Sequence, residues 1–157
     1  FHEEAIEFLE ELGLIIGVVL SKIYREREVL ESIERHMSVF NSVPHPTFII
    51  DPDDYTIIQA NDVALQHASM NPGEIKGSTC HQVITGRDTP CEFHGEPCPI
   101  LRMLEERSVN VTTLHSWVAE NGGMACVEES VSPIRDAEGT IDTVVLVARY
   151  VTIQDEV

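Results

Sequence analysis

Basic residues are scarce in this chain. Ten lysines and arginines stand against 27 aspartates and glutamates, so the formal net charge is −17 over 157 residues. Because a strongly negative field repels polyanions, we expect no binding to DNA, to RNA or to an anionic membrane surface. A chain of this length accommodates one domain of ordinary size plus an additional segment.

Cysteines are also few, and no signal peptide is visible. Four cysteines in 157 residues are too few for a disulfide-dense secreted scaffold. We therefore expect a cytoplasmic location. Because the chain starts at Phe1 instead of a methionine, it is interpreted as a piece of a larger protein, which could itself be anchored in a membrane.

The sequence lacks a hydrophobic run of membrane-spanning length. The longest run, residues 12–20, has nine residues and includes two glycines. A membrane-spanning helix needs about 20 apolar residues. No membrane contact is therefore expected from this part of the protein.

Catalytic signatures are absent as well. The chain has no phosphate-binding glycine loop, no His-Glu-x-x-His motif, no Gly-x-Ser-x-Gly motif and no kinase ATP-site motif. The acidic residues within 51–54 lack the spacing and the bidentate glutamate of a calcium-binding loop. We therefore expect a non-catalytic part of a protein whose enzymatic activity, if any, lies elsewhere.

The N-terminal residues 3–40 contain no proline and many helix-forming residues, which predicts one long helix. Ten of eleven positions at heptad spacing are apolar, counting alanine, and the exception is Glu26. One heptad position of this seam is occupied by Leu9, Ile16, Ile23, Leu30 and Met37. The second heptad position, three residues further along each heptad, is occupied by Ala5, Leu12, Val19, Glu26, Ile33 and Phe40. The pattern predicts a coiled coil and a homodimer formed through this helix. A helix that packs on its own domain is the alternative.

Two short apolar runs, residues 46–50 and 55–60, flank an acidic turn. The turn contains Pro52 and three aspartates, which are typical of tight turns. The pattern predicts a β-hairpin. Asn61 or Asp62 is expected to cap a following helix, because its side-chain oxygen can accept a hydrogen bond from a free N–H of the first turn.

Short helices and three more strands are predicted after this hairpin. One helix is expected to open at residues 61–62 and to end near residues 71–73, a one-turn helix is expected just before Gly77, and further helices are expected over residues 78–84 and 99–106. The strands are expected over residues 109–118, 124–134 and 140–152, with Asn121-Gly122-Gly123 as a hairpin turn. The predicted fold class is α+β: a five-stranded antiparallel sheet with short helices on one face, preceded by a long coiled-coil helix.

The sequence resembles PAS sensor domains over residues 36–153. The run Val127-Glu128-Glu129-Ser130-Val131-Ser132-Pro133-Ile134 is similar to one of the last strands of that family, and the hairpin that ends at Asn61 is similar to its opening. Residues 148–152 resemble the Asp-Ile-Thr motif through which the domain passes its signal onward, with Tyr150 where the family has aspartate. The resemblance implies a PAS-like fold and a sensory role.

Residues 1–31 resemble the closing helix of a GAF domain, with Phe1, an apolar centre and then Tyr24-Arg25-Glu26. The two resemblances together imply the end of one sensor domain joined to the whole of the next. The implied organisation is a signalling helix over 1–38, a PAS domain over 39–153 and the start of an output linker over 154–157.

These resemblances imply a sensory, regulatory module of a multidomain signal-transduction protein of the histidine kinase type. Such a module would sense a small ligand, a metal or a redox state and relay it through dimeric helices. Two alternatives remain, because this fold serves many outputs. One is a dimerisation scaffold without a ligand, and the other is the sensory module of a diguanylate cyclase or a transcription regulator.

Five residues with metal-binding or redox-active side chains lie within 19 residues of the connecting region: Cys80, His81, Cys91, His94 and Cys98. Cysteine and histidine at close spacing can bind Zn²⁺, and three cysteines can hold an iron–sulfur cluster with one further ligand. A reversible disulfide between Cys91 and Cys98, or one that involves Cys80, is a second interpretation. The third is that these side chains only pack in the core.

A small organic ligand would need a cavity between the sheet and the short helices. Its expected lining is Phe48, Ile50, Ile58, Leu65, Val83, Ile84, Leu101, Leu104, Val111, Thr113, Val145 and Val147. His115, with its neighbour Trp117, is the polar side chain most suited to contact such a ligand. The same residues could equally fill an ordinary core.

Overall fold

The computed structural model describes residues 1–119 and 121–151. Its helices are α1 (His2–Ser42), α2 (Asp62–Ala68), α3 (Pro72–Ile75), α4 (Cys80–Thr85) and α5 (Pro99–Glu106), and a short 3-10 helix covers Cys91–His94. Its strands are β1 (Thr47–Ile50), β2 (Ile57–Ala60), β3 (Val111–Val118), β4 (Met124–Arg135) and β5 (Ile141–Tyr150). The chain divides into two compact units, Phe1–Phe40 and the part from Asn41 onward. The predicted linker 154–157 and the end of the motif at 148–152 lie outside the described residues.

The long N-terminal helix predicted from its helix-forming residues is confirmed, since α1 has 41 residues. None of them is buried by the described part of the chain. The seam residues Ile16, Ile23 and Leu30 are 50%, 54% and 60% exposed. No helix within the described residues combines the length and the apolar content that crossing a membrane requires.

Asn61 joins the first hairpin to α2. Its side-chain oxygen accepts a hydrogen bond from the N–H of Ala64, which is the predicted helix cap, and another from the N–H of Thr47, both at 3.0 Å. Its side-chain nitrogen donates to the carbonyl groups of Val43 and His45. Because Asn61 is fully buried, this one side chain fixes the entry into β1 and the start of α2 together.

The predicted five-stranded antiparallel sheet is confirmed, with the strand order β2-β1-β5-β4-β3. The last strand therefore lies in the middle of the sheet, between the first and the fourth. Phe48 pairs with Leu146 and Ile50 with Val144, which places these four buried side chains on one face. On this inner face, α2 packs on β1, α4 on β3, and α5 on β3 and β4.

Three of the predicted pocket residues do not face the inside of the domain, because successive side chains of a strand alternate between the two faces of the sheet. Ile58 is 39% exposed, whereas its neighbour Ile57 is buried. Val145 and Val147 are half-buried on the outer face of β5, because Val144 and Leu146 occupy the inner face. The apolar run over 144–147 looked uniformly buried in the sequence, but successive side chains of a strand must point to opposite faces.

Candidate functional site

The inner face of the sheet and the connecting helices enclose one small cavity. Its volume is about 10 Å³, which is room for about one water molecule. Its lining consists of Cys80, His81, Ile84, Thr85, Cys91, Cys98, Pro99, Ile100, His115, Glu129 and Leu146. Three thiols, two imidazoles and a carboxylate therefore meet at one small cavity inside the domain.

The three cysteines reach the cavity because each starts a helical element. Cys80 is the first residue of α4, Cys91 opens the 3-10 helix and Cys98 is the N-cap of α5. All three are buried, and all are free thiols. Burial strongly raises the pKa of the Cys80 thiol. Burial also raises the pKa of Cys98 to about 11, although backbone N–H groups of Leu101 and Ile100 oppose the increase.

His115 lies between two carboxylates. Its Nδ1 is 3.1 Å from Oε1 of Glu129, and its Nε2 is 2.8 Å from Oε2 of Glu96. Glu129 is only 1% exposed, and its Oε1 also accepts a hydrogen bond from the indole N–H of Trp117. A buried carboxylate is stable only with such partners, since it loses its hydration.

The network of His115 extends from the core to the surface through Glu96. Oε1 of Glu96 lies 2.9 Å from Nη2 of Arg87, and both side chains are partly exposed. Burial raises the pKa of Glu96, but hydrogen bonds from Arg87 and His115 outweigh it and the net shift is downward. The side chains thus form one continuous chain of contacts in which positive and negative groups alternate, in the order Arg87, Glu96, His115 and Glu129.

His115 is held in its protonated form by these neighbours. Burial alone would lower the pKa of its imidazole, but hydrogen bonds with Cys91 and Glu129 and the charges of these groups raise it to about 10. An imidazolium can donate from both ring nitrogens, which matches the carboxylate on each side of the ring.

The protonation of His115 predicts that the protein loses stability as the pH rises. Its folded pKa lies above the unfolded value of about 6.5, so its contribution is complete below that value and is lost as the pH rises toward about 10. One proton gives a slope of at most about 1.4 kcal/mol per pH unit. We expect urea unfolding to show a loss of about 2 kcal/mol between pH 7 and pH 8.5.

The His115→Gln variant is the control for this pH dependence, and its slope should be much smaller in the same window. The thiols of the unfolded chain are half ionised at about pH 8.5 and begin to titrate about one pH unit lower. Because the folded pKa values of Cys80 and Cys98 are also raised, they add to the same slope at higher pH. Equal slopes for the variant and the unchanged protein below pH 8.5 would show that His115 is not the group responsible.

The fold gathers most of the predicted cysteine and histidine residues. Cys80, His81, Cys91 and Cys98 all line the cavity, together with His115. His94 does not, because it is exposed on the 3-10 helix and contacts Thr89 at 2.8 Å through Nε2. Within residues 1–119 and 121–151 no group of three His, Cys, Asp or Glu side chains is arranged to hold a metal ion. Zinc and iron–sulfur binding stay predictions of the sequence.

The predicted organic-ligand lining forms a filled core instead of an open pocket. Phe48, Ile50, Val111 and Thr113 are all buried, but none of these four borders the cavity. Leu65, Leu101 and Leu104 are half-buried and pack against the core. Of the predicted lining, Ile84 and His115 border the cavity.

Sequence reasoning missed Glu129 and Glu96. A signal for Glu129 existed: β4 alternates Val127, Glu129 and Val131, which puts a carboxylate at an inward position of a strand. The register confirms this position, because Glu129 pairs with Thr113 on the neighbouring strand. Glu96 lies in irregular structure without periodicity, so no comparable signal existed.

An aromatic contact chain connects Glu129 with the end of the last strand. The Trp117 indole, which donates to Glu129, lies 6.0 Å from the ring of Phe48 and 5.1 Å from the ring of His67 on α2. His67 in turn is hydrogen-bonded through Nδ1 to the hydroxyl of Tyr150. Tyr150 is the last residue of β5.

Comparisons with known proteins identify the fold. Residues 40–156 match a protein-family model described as the PAS fold. No curated protein matches the chain. Among solved structures, the chain is similar to the PAS domain of an HTR-like protein from Haloarcula marismortui, with 17% identity and a TM-score of 0.61 over 82% of this chain and 98% of that one.

Two further solved structures are similar to this chain. One is a PAS domain from a two-component sensor histidine kinase, with 13% identity and a TM-score of 0.59 over 78% of this chain and 99% of that one. The other is VqmA of Vibrio cholerae in a complex with ligand and DNA, with 18% identity and a TM-score of 0.59 over 75% of this chain and 51% of that one. At these identities the likeness is one of fold.

Proposed function

The chain belongs to the PAS fold family, and on this basis we propose that it is the sensory module of a multidomain signal-transduction protein, a histidine kinase. The observation that carries the proposal is the cavity at the centre of the domain. Free cysteines can pack in an apolar core, but a buried imidazolium and a buried carboxylate beside them are costly to bury. Clusters of perturbed ionisable groups are typical of functional sites.

The size of the cavity restricts the stimulus. Pockets for organic ligands usually have volumes of about 300–1,000 Å³, whereas this cavity has about 10 Å³. A flavin-sized or drug-sized molecule would require the core to open. A stimulus that acts directly on the cavity-lining groups, such as a small oxidant, a proton or a metal ion, requires no such opening.

The relay that we propose runs from the cavity to the end of β5. Glu129 contacts Trp117, Trp117 contacts His67, and His67 is hydrogen-bonded to Tyr150. A change in the charge of Glu129 or in the position of Trp117 would therefore reach the point where the chain leaves the sheet. The stimulus would act by favouring one of two preexisting arrangements over the other.

The second element of the proposal is a homodimer formed through α1. Its apolar seam repeats over five heptads and is exposed in the isolated chain. Two copies of the helix could bury this seam in a parallel coiled coil. A sensor module that is dimeric through such a helix can transmit a small change of packing along the helix axis.

A transcription regulator is the second candidate function, because the solved structures similar to this chain include VqmA in a ligand–DNA complex. The net charge of −17 means that any DNA contact would have to come from another part of such a protein. A diguanylate cyclase and a ligand-free dimerisation scaffold are further alternatives.

Autophosphorylation of the full-length protein tests the kinase assignment. Purified full-length protein is incubated with radiolabelled ATP, and we expect label on histidine. The Glu129→Gln variant should change the rate of labelling, and the Glu128→Gln variant on the outer side of the same strand should not. Absence of histidine labelling would contradict the kinase assignment, and an unchanged rate for Glu129→Gln would contradict the cavity as the sensing site.

A further inference from the structure

Residues 86–97, here called the strap, connect α4 with α5 and contain the 3-10 helix. The backbone N–H groups of Phe93, Gly95 and Glu96 donate to carbonyl groups of the strap itself. In the described part of the chain, no strand of the sheet pairs with the strap. The strap is therefore not attached to the sheet by a ladder of backbone hydrogen bonds.

The strap forms a thin wall between the cavity and the solvent. Cys91 lines the cavity and is 6% exposed. The residues that directly follow it in the 3-10 helix, Glu92, Phe93 and His94, are exposed. At this point a single turn of the chain separates the buried side chains of the cavity from water.

Glu96 makes the ionic contacts that fasten the strap. Its Oε2 lies 2.8 Å from Nε2 of His115 on β3, and its Oε1 lies 2.9 Å from Nη2 of Arg87 at the start of the strap. The first contact attaches the strap to the sheet, and the second joins the two ends of the strap, as in a compact Ω-loop. Because the side chain of His115 is only 3% exposed, solvent screens the first contact less than it screens a surface ion pair.

Opening of the strap would expose little apolar surface. Its largest apolar side chain, Phe93, is already 73% exposed, and Cys91 is the buried apolar side chain that it contributes to the core. Segments with few buried apolar contacts are the ones that open locally. Gly86 and Gly95 have φ values of 68° and 71°, in the left-handed region where glycine is unstrained. Each can therefore absorb a rotation of the backbone when the strap moves.

We propose that the strap opens and closes over the cavity and that Glu96 fastens it in the closed position. The closed cavity has room for about one water molecule, so an open strap is what gives reagents in solution a path to the buried thiols. The inference deepens the proposed sensory function, because it supplies the entry path to the cavity. It rests on that function only for its meaning as a gate.

Alkylation of Cys91 by iodoacetamide in the folded chain tests the opening, with the modified residue identified by peptide mapping. Replacement of Glu96 by alanine removes both ionic contacts, so alkylation of Cys91 should become at least about tenfold faster. Glu92→Ala is the matched control, because it removes a carboxylate from an exposed position of the same strap. Its rate should stay within about twofold of the unchanged protein.

Low concentrations of urea separate opening of the strap from unfolding of the whole domain. The dependence of a free energy on urea scales with the surface that is exposed, so a rate that reflects local opening hardly changes over about 0–1 M urea. We expect nearly flat profiles for the unchanged protein and for Glu96→Ala, with the second displaced upward. The Arg87→Gln variant removes only the contact between the ends of the strap and should show a smaller displacement, so the test does not depend on whether Glu96→Ala folds.

Two results would overturn the inference. One is a rate at Cys91 that rises with urea as steeply as global unfolding requires, and the other is equal rates for Glu96→Ala and Glu92→Ala. Because alkylation is measured on the chain alone, the strap can fail this test while histidine labelling of the full-length protein succeeds. A strap that opens in a protein without histidine labelling would keep the gate and remove the kinase assignment.

Discussion

Replacement of Glu129 by alanine is expected to lower the free energy of unfolding by about 3–5 kcal/mol, because removal of one partner of a buried ionic network leaves the other charge uncompensated. His115 would keep a positive charge in the core with one carboxylate fewer, and the Trp117 N–H would lose its acceptor. Chemical denaturation at pH 7 measures the effect. The Glu129→Gln variant should lose less, since its amide oxygen still accepts from Trp117.

Glu128→Ala is the matched control on the same strand. Glu128 faces the other side of the sheet and forms an exposed ion pair with Arg149. Exposed pairs contribute about 0–1 kcal/mol, so this variant should be nearly as stable as the unchanged protein. Similar losses for Glu128→Ala and Glu129→Ala would contradict the assignment of the network to Glu129.

Replacement of Ile23 by aspartate is expected to convert a dimer into monomers. In the proposed coiled coil each helix loses a buried isoleucine side chain, worth about 1.5–3 kcal/mol, and gains a carboxylate in the seam. Two chains together lose about 3–6 kcal/mol, and each 1.4 kcal/mol is a tenfold change in the dissociation constant. Sedimentation velocity over a concentration series should therefore show weakening by at least about 100-fold.

Tyr24→Asp is the control for this prediction. Tyr24 is the next residue of α1, it is 66% exposed, and it lies off the heptad seam. Its replacement should leave the dissociation constant within about threefold of the original, since it changes no seam contact. A dimer that survives Ile23→Asp, or one that Tyr24→Asp also breaks, would mean that the seam is not the interface.

Local patterns in the sequence predicted most of the fold. The absence of proline and the many helix-forming residues predicted α1, and Asn61 was one of the two residues predicted to cap α2, because both features depend on neighbours a few residues away. The strands of the C-terminal half were predicted from alternation and from the turn at Asn121. The order of the strands, with the last strand in the middle of the sheet, was not predicted, because it depends on long-range pairing that no local pattern reveals.

The candidate site was predicted only in part, because its contacts are long-range. His115 meets Glu129 across 14 residues and Glu96 across 19, so their proximity depends on strand register and on the path of an irregular segment. His94 was expected beside the cysteines, but the turn of the 3-10 helix carries its side chain to the surface. Val145 and Val147 were assigned to the wrong face of the sheet. All four residues of 144–147 are apolar, so the sequence does not distinguish inward from outward positions of this strand.

Native mass spectrometry of protein purified without oxygen tests the central claim most directly. If the cavity senses its stimulus without an organic ligand, the spectrum should show a dimer with the mass of two polypeptides, and alkylation in denaturant should label four thiols per chain. An organic molecule retained at one per chain would contradict the claim, because it would require an opened core. Retained zinc or iron that Cys91→Ser abolishes would instead make the cysteine cluster a metal site.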